Sequence, residues 1–462
     1  EICAEVPFRK SMRWGTGDAT FGRPVQWLVA LFGSHTVDVA FAGLRSGRTS
    51  LGHRFLAPAS VEIADAAHYV DQMRKAHVLV DREERARTMI ERVAAAARAV
   101  GGVHDAEPSL VDENASLVEE PHVVTGSFDE AYLALPASVI RAVARGHQKY
   151  FCVAKSADGE LLPYYLTVAN TALDPARVAK GNNRVMRARL ADAKFFYEED
   201  QRGKIEDRVE KLSGIVFHNR LGTVREKVTR IEALSAKIAG ALGLSAGAPA
   251  DVVRAAHLCK FDLVSLMVGE FPELQGEMGR AYARFAREPD AVADAIRDHY
   301  RPIGADGPIA EDDVSACVAL ADRLDTLVGC FAVGLSPTGA ADPFALRRAC
   351  IAILRTLLES ARRNPGYARL GLEELFGHAY DGLAGKKVDL SKDEALKKLA
   401  EFTHERLRGV LAAQTSSAVA DATCAGGTLD RPAYALARAR ALHRAVTEGR
   451  AWLGQARTVA KR

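Results

Sequence analysis

Residues 177–200, with the sequence RVAKGNNRVMRARLADAKFFYEED, lie where the chain changes character. Before this stretch, apolar runs alternate with turn residues, as in a region of mixed helices and strands. From Pro175 onward, almost every segment shows the 3.6-residue periodicity of helices. The sequence therefore predicts an α+β protein in which a mixed N-terminal region precedes mostly helical domains.

The same stretch predicts a cationic helix face. Five basic residues fall within one sector of about 100° on a helix: Arg177, Lys180, Arg184, Arg187 and Lys194. Three apolar residues are expected to face a core: Val185, Leu190 and Phe195. A row of cations suits contact with a phosphate backbone. Two alternatives stay open: the cations are paired with nearby carboxylates on a solvated face, or Gly181 breaks the helix.

Further elements can be predicted on both sides of this stretch. Residues 25–32, 148–154 and 162–169 are typical of strands, with a turn after Phe32. Residues 81–100 predict a helix that Gly101 and Gly102 end. In the second half, loops are expected at 243–249, 304–308 and 364–371, and a flexible connection at 416–432.

Composition excludes several classes of protein. The 462 residues carry a net charge of +3 and are 48% hydrophobic, which excludes low-complexity disorder and collagen. No apolar run reaches the length of a membrane-spanning helix. The seven cysteines are widely spaced with no C-x-x-C pair, so reduced, buried thiols in a cytoplasmic protein are expected. Because the chain starts without methionine, we expect it to be a piece of a longer protein.

Positive charge is concentrated in two regions. Residues 175–230 and residues 402–462 each have a net charge of +6. Local basic regions on a nearly neutral chain indicate a polyanion that is contacted at particular places. The second region contains Arg406 and Arg408 in a helical pattern, and Arg347 and Arg348 lie at the start of another helix after a glycine- and proline-rich loop. A solvated face of a helical bundle explains Arg406 and Arg408 equally well, and a loop packed on its own helix explains Arg347 and Arg348 equally well.

Motifs for self-contained nucleotide or hydrolase chemistry are absent from the sequence. There is no phosphate-binding loop, dinucleotide fingerprint, nucleophile elbow or H-E-x-x-H zinc motif. Residues 257–267 and 319–327 resemble the metal-binding pattern of HD phosphohydrolases, with His257, Asp262 and Asp322 at the degenerate positions. Lys260 lies where a ligand is expected, and a charged lysine cannot bind a cation. A helical domain without the metal is expected, its carboxylates serving as caps or ion pairs.

Eight segments in a fixed order carry a specific resemblance. They are MRWG with FGRPVQWLVALFG (12–33), GHRFLAP (52–58), GHQKYF (146–151), NNRVMRARLADAKFFYEED (182–200), RLGTV (220–224), MVGEFPELQGEMG (267–279), ALADRLDTLVG (319–329) and GLSPTGAADPFALRRA (334–349). Together they resemble the β subunit of the bacterial two-subunit glycyl-tRNA synthetase, from about Met12 to the C-terminus.

The resemblance implies an activity shared between two chains. In this family an α subunit, using ATP and Mg²⁺, forms glycyl-adenylate, and the β subunit binds tRNA(Gly), typically in an (αβ)₂ tetramer. This chain would then have no catalytic residues, cofactor or metal of its own. The candidate tRNA-binding residues, chosen by charge and placement, are Arg184, Arg187, Lys194, Arg347, Arg348, Arg406 and Arg408.

The resemblance also implies a domain order. Residues 1–170 would form a region like the B3/B4 module of phenylalanyl-tRNA synthetase, and residues 171–235 a basic helical connection. Residues 236–390 would form a degenerate HD-like domain, and residues 391–462 the truncated start of a helical anticodon-binding region. The alternatives are a metal-dependent phosphohydrolase of HD type and a non-catalytic helical adaptor.

Overall fold

Two compact units, Glu1–Lys194 and Phe195–Arg462, make up the computed structural model. The structure describes residues 2–105, 107–146, 148–157, 159–171, 173–245, 247–304, 306–337, 342–426 and 429–449. Small sheets with flanking helices form most of the first unit, and helices form most of the second. The expected α+β class is therefore confirmed.

Within its described residues, the first unit contains thirteen strands, most of them short. They are β1 Met12–Arg13, β2 Thr20–Phe21, β3 Leu28–Val29, β4 Leu31–Phe32, β5 His35–Thr36, β6 Ala40–Phe41, β7 Leu44–Gly47, β8 Thr49–Leu51, β9 Ser60–Glu62, β10 Val103–His104, β11 His122–Ser127, β12 Phe151–Ala154 and β13 Leu161–Ala169. Its helices are α1 Ile2–Glu5, α2 Tyr69–Lys75, α3 Arg82–Ala99, α4 Pro108–Leu117, α5 Ala137–Gly146 and most of α6 Pro175–Gln201.

The main sheet of the first unit is antiparallel, with strand order β10-β12-β13-β11. Helices α3 and α4 pack on it through a buried apolar cluster that includes Met89, Val93, Leu110 and Phe151. Helix α3 begins where the Asp81 carboxylate accepts from the Glu83 amide at 2.8 Å, and it ends before Gly101, which has a φ of +79°. The predicted helix at 81–100 and the predicted strands β12 and β13 are confirmed.

The tyrosine pair Tyr150 and Tyr165 connects this sheet to helix α6. Their rings stack with centroids 4.6 Å apart, and the Tyr165 hydroxyl lies 2.7 Å from the Asn183 amide oxygen in α6. The ring of Tyr165 passes so close to Gly126 that a Cβ atom there would lie 2.2 Å from it. Glycine at position 126 therefore makes room for the contact between sheet and helix.

Helix α6 starts where the Asp174 carboxylate accepts from the Arg177 amide at 3.0 Å, with Pro175 in the first turn. The helix continues through Gly181 without a break. Its buried side is formed by Met186, Leu190 and Ala193. The prediction that Val185 and Phe195 face the core is wrong, since they are 39% and 58% exposed. Steps of five residues turn a helix by about 140°, so those two positions cannot share the buried side with Leu190.

In the part of the second unit that the structure describes, there is one small antiparallel hairpin, β14 Val216–His218 with β15 Gly222–Thr223. Its helices are α7 Ile205–Lys211, α8 Val224–Leu242, α9 Ala248–Leu258, α10 Leu266–Glu270, α11 Glu277–Phe285, α12 Asp290–Asp298, α13 Asp313–Ala332, α14 Leu346–Ser360, α15 Leu372–Asp381, α16 Lys392–Gln414, α17 Ser417–Ala425 and α18 Pro432–Thr447.

Helix α13 is the centre of the second unit. Nearly all of its residues are buried, and it packs against α8, α9, α12, α14, α15 and α16. Asp312 begins it by accepting from the Ser315 amide at 2.8 Å. A helix that is buried on nearly every side must be enclosed by others, which is the reason so many helices pack around it.

Several local predictions need correction. The segment 416–432, expected to be a flexible connection, contains helix α17, which Ser416 caps. The loop expected at 364–371 contains a 3-10 helix at Pro365–Arg369. The predicted strand at 25–32 is split into β3 and β4, although the expected turn follows at Gly33. The finer division into four domains, and the HD-like character of 236–390, stay predictions.

Two broader predictions concern membranes and thiols. Within the described part of the chain, none of the helices combines the length and apolar composition needed to cross a bilayer. All seven cysteines are free thiols, and five of them are buried. Burial raises the pKa of Cys152 and of Cys259 to about 12. These thiols therefore pack as small apolar groups, as expected from their spacing.

Candidate functional site

The predicted cationic row on α6 is exposed. Arg177, Lys180, Arg184, Arg187 and Lys194 all have exposed side chains. Two small residues, Ala188 and Ala191, are also exposed between them on the same side. The helical rise places Arg177 and Arg187 about 15 Å apart along the axis. This surface, called the α6 cationic row below, lies entirely within the first unit.

Four members of the row have no carboxylate partner. Within the described residues, Arg177, Lys180, Arg184 and Arg187 form no ion pair. Glu199, an acidic residue near the C-terminal end of the row, pairs instead with Arg202 at 2.6 Å. Lys194 does have an interaction within the chain. The row therefore presents four uncompensated positive charges to solvent.

The candidates at the start of α14 are placed differently. The Asp342 carboxylate caps the helix by accepting from the backbone amides of Leu346 at 2.7 Å and Arg347 at 3.0 Å. The Arg347 side chain is partly buried and has an interaction within the chain, whereas that of Arg348 is exposed. Residues 338–341 of the preceding motif lie outside the described residues. Of the two arginines, Arg348 is the one with an exposed side chain.

The two candidates on α16 have intramolecular partners. The Arg406 guanidinium lies 3.5 Å from the centre of the Phe402 ring and donates to the Phe402 carbonyl at 2.7 Å. Its side chain is only 14% exposed. Arg408 is half exposed and pairs with Asp421 in α17, which raises the pKa of Arg408. These contacts position α16 and α17, and a tRNA-binding role for both residues stays a prediction.

The three degenerate HD positions do not converge. His257 in α9 lies between two glutamates, with Nδ1 2.9 Å from Glu232 and Nε2 2.9 Å from Glu206. The hydrogen bond to Glu232 raises the pKa of His257, partial burial opposes this, and Glu206 reinforces it. Within the described residues, no three histidine, cysteine or acidic side chains are arranged to hold a metal ion.

Asp262 serves as a helix cap. One of its carboxylate oxygens accepts from the amides of Gly276 at 2.6 Å and Gly279 at 3.0 Å, at the start of α11. Burial raises the pKa of Asp262 to about 6, although these amides oppose the shift. The expectation that the HD-position carboxylates act as caps or ion pairs is thus confirmed for Asp262.

Asp322 in α13 is the centre of a buried ion-pair network. One carboxylate oxygen lies 2.8 Å from the Lys227 ammonium, and the other lies 2.7 Å from the Lys260 ammonium. Lys227 also contacts Asp325 at 3.1 Å, and Asp325 in turn holds Arg230 at 2.5 Å. Burial by itself would raise the pKa of Asp322, but the two ammonium groups hold that pKa well below its ordinary value.

The sequence motifs revealed only part of this network. Asp322 and Asp325 belong to the segment ALADRLDTLVG, whereas Lys227 and His299 carry no sequence signal. His299 is fully buried with Nε2 2.8 Å from the Lys260 ammonium. A lysine on an amphipathic helix usually faces solvent, so only the three-dimensional packing shows that Lys227 is buried.

Comparisons with known proteins agree on one family. The family model described as glycyl-tRNA synthetase beta subunit matches residues 1–425. A glycine–tRNA ligase beta subunit from Trichlorobacter lovleyi is 43% identical over 96% of this chain and 63% of its own length. Those of Myxococcus xanthus and Geobacter sulfurreducens are 44% and 43% identical over 91% of this chain.

The matched region does not span the whole length of these relatives. The chain covers 63% of the Trichlorobacter protein and 60% of each of the other two. The matches nevertheless extend over both structural units, so the resemblance seen in the eight sequence segments is confirmed. This chain belongs to the glycyl-tRNA synthetase beta subunit family.

Proposed function

We propose that this chain is the greater part of the tRNA-binding β subunit of a cytoplasmic glycine–tRNA ligase. The reaction joins glycine to tRNA(Gly) with conversion of ATP to AMP and diphosphate. In this proposal an α subunit supplies the site for glycine, ATP and Mg²⁺, and the β subunit holds the tRNA so that its 3′ end reaches that site. The two subunits act as an (αβ)₂ assembly.

The α6 cationic row is the structural observation that supports RNA contact. Four exposed basic side chains without an ion-pair partner, on one side of a helix, are the kind of surface that contacts a nucleic-acid backbone. No aromatic side chain lies on this face between Arg177 and Lys194. The row is therefore suited to phosphates and not to stacking on bases.

The HD-type phosphohydrolase alternative gains no support from the residues that it requires. His257, Asp262 and Asp322 have separate partners, and two lysine ammonium groups occupy both oxygens of Asp322. The helical adaptor alternative differs from the proposal in one respect that can be measured, because an adaptor has no salt-sensitive affinity for tRNA.

Glycine charging with separately purified subunits tests the proposed function. The full-length β subunit and its α subunit are assayed alone and together for attachment of radiolabelled glycine to tRNA(Gly). We expect charging only with both subunits. Full charging by the α subunit alone, or no charging by two folded subunits that bind each other, would refute the proposal.

A further inference from the structure

The surroundings of the Lys260 ammonium resemble the first coordination shell of a cation. Its Nζ atom lies 2.7 Å from Oδ2 of Asp322 and 2.8 Å from Nε2 of His299. It also lies 3.9 Å from the centre of the Tyr300 ring. Lys260 and His299 are buried, with 6% and 0% exposure. The ammonium is thus enclosed by an anion, a neutral imidazole and an aromatic face.

The orientation of His299 is the second observation. An ammonium group has only protons to offer, so Nε2 of His299 must present its lone pair to Lys260. The proton then lies on Nδ1, which is 2.8 Å from the carbonyl oxygen of Ile296. A histidine that binds a metal has the same arrangement, with one nitrogen directed at the ion and the other donating to a backbone carbonyl.

Lys227 completes the arrangement on the other side of Asp322. Its ammonium lies 2.8 Å from Oδ1 of Asp322, 3.1 Å from Asp325 and 2.8 Å from the Thr326 hydroxyl. Each oxygen of Asp322 therefore faces one buried positive charge. A divalent ion near Asp322 would be repelled by both ammonium groups, so the residues present do not fit a metal.

We infer that the Lys260 ammonium occupies a divalent-cation position between His299 and Asp322, and that this built-in cation makes the second unit independent of metal. The position has the ligand chemistry of zinc, namely an imidazole nitrogen and a carboxylate. Replacing the lysine with a short acidic residue would remove the positive charge and add a third ligand. The inference is independent of the proposed tRNA-binding function.

Metal content and thermal unfolding of the full-length chain test this inference. We expect Lys260→Asp to bind one Zn²⁺ per chain and to gain at least about 2 °C in Tm when Zn²⁺ is added. A chelator should reverse the gain. The wild-type chain should bind no stoichiometric Zn²⁺ and keep its Tm in the presence of the chelator.

Two further variants make the result specific. Lys260→Met fills much of the same space but has neither a charge nor a carboxylate, so it should bind no stoichiometric Zn²⁺. Adding His299→Ala to Lys260→Asp should abolish zinc binding, because it removes the imidazole ligand. The inference is overturned if Lys260→Asp binds no stoichiometric Zn²⁺, if Zn²⁺ does not stabilise it or restore its folding, or if the His299→Ala double variant binds equally well.

Discussion

Asp200, near the end of α6, joins four donors of the second unit. Its carboxylate accepts from the amides of Leu266 and Met267, each at 3.0 Å, and from the Tyr282 hydroxyl at 2.8 Å. Arg208 also contacts it, and both of these charged residues are buried. A single carboxylate thus connects the end of α6 with α7, α10 and α11.

Removal of this carboxylate is expected to be costly. Asp200→Ala leaves the buried Arg208 guanidinium without its counter-charge, and breaking such a pair costs about 3–5 kcal/mol in the free energy of unfolding. Chemical denaturation of the full-length chain measures the change. Glu199→Gln is the matched control, since it disrupts only the more exposed pair with Arg202 and should have little effect. Equal effects of the two variants would contradict the prediction.

His257 is expected to make the stability of the second unit depend on pH. Hydrogen bonding to Glu232 raises the pKa of His257, with partial burial opposing and Glu206 adding to the rise. Arg254 and Arg225 also contact these two glutamates. A histidine with a raised pKa binds its proton more tightly in the folded state, so its contribution is complete below the unfolded value of about 6.5 and is lost at higher pH.

Comparison of the wild-type chain with His257→Gln isolates this contribution. We expect the wild type to lose its advantage in free energy of unfolding as the pH rises above about 6.5. His404 is the control with the opposite sign, because burial lowers its pKa. The wild type should lose stability relative to His404→Gln as the pH falls below about 6.5. If the difference in free energy of unfolding between the wild type and His257→Gln does not change with pH, the two glutamates do not strengthen proton binding by His257.

At the scale of elements, α16 shows that a basic helix can use its arginines internally. Arg406→Gln should lower the free energy of unfolding by about 1–2 kcal/mol, because the guanidinium packs on Phe402 and is shielded from water. Arg408→Gln should leave stability almost unchanged, since its pair with Asp421 is exposed. Circular dichroism during denaturation measures both variants. A larger loss for Arg408→Gln would reverse the assigned roles.

Local sequence signals are enough to predict the helices that have a clear capping residue at each end. Asp81 and Gly101 mark the two ends of α3 in the structure, as the sequence predicts. Asp81 acts by accepting hydrogen bonds from nearby backbone amides, and Gly101 acts through its backbone conformation. Helix α17 was missed because serine, glycine and threonine suggested a loop, whereas Ser416 is the N-cap of a helix. The same residue types serve loops and caps, so tertiary packing decides between them.

Only part of the candidate functional site can be predicted from the sequence. The α6 cationic row follows from helical spacing alone, and its exposure agrees with that pattern. The buried network around Asp322 depends on Lys227, Lys260 and His299, which are far apart in sequence. Periodicity within one helix carries no information about a partner on another helix, so this network could be recognised only from the structure.

Across the whole molecule, most arginines in the described residues have a carboxylate or carbonyl partner, and the α6 cationic row differs from them. In the second unit, Arg254 and Arg323 hold helices and loops together through such contacts, and Arg355 donates to the carbonyl of Gly307 at 2.9 Å. Such paired charges are already compensated and contribute little to binding a polyanion. The uncompensated charge of the row is therefore the basis of the proposed contact with tRNA.

The salt dependence of tRNA affinity tests this at the scale of the whole protein. Each lost phosphate contact reduces the slope of log K against log[salt] by about 0.7–0.9. We therefore expect Arg184→Gln/Arg187→Gln in the full-length β subunit, assembled with its α subunit, to reduce the slope by roughly 1.4–1.8. Arg87→Gln/Arg98→Gln removes the same charge from exposed positions of α3 and should leave the slope unchanged. Filter binding over a range of salt concentrations measures both. Equal slopes for both double variants would show that the substitutions act only through the net charge of the protein and that the row does not contact tRNA.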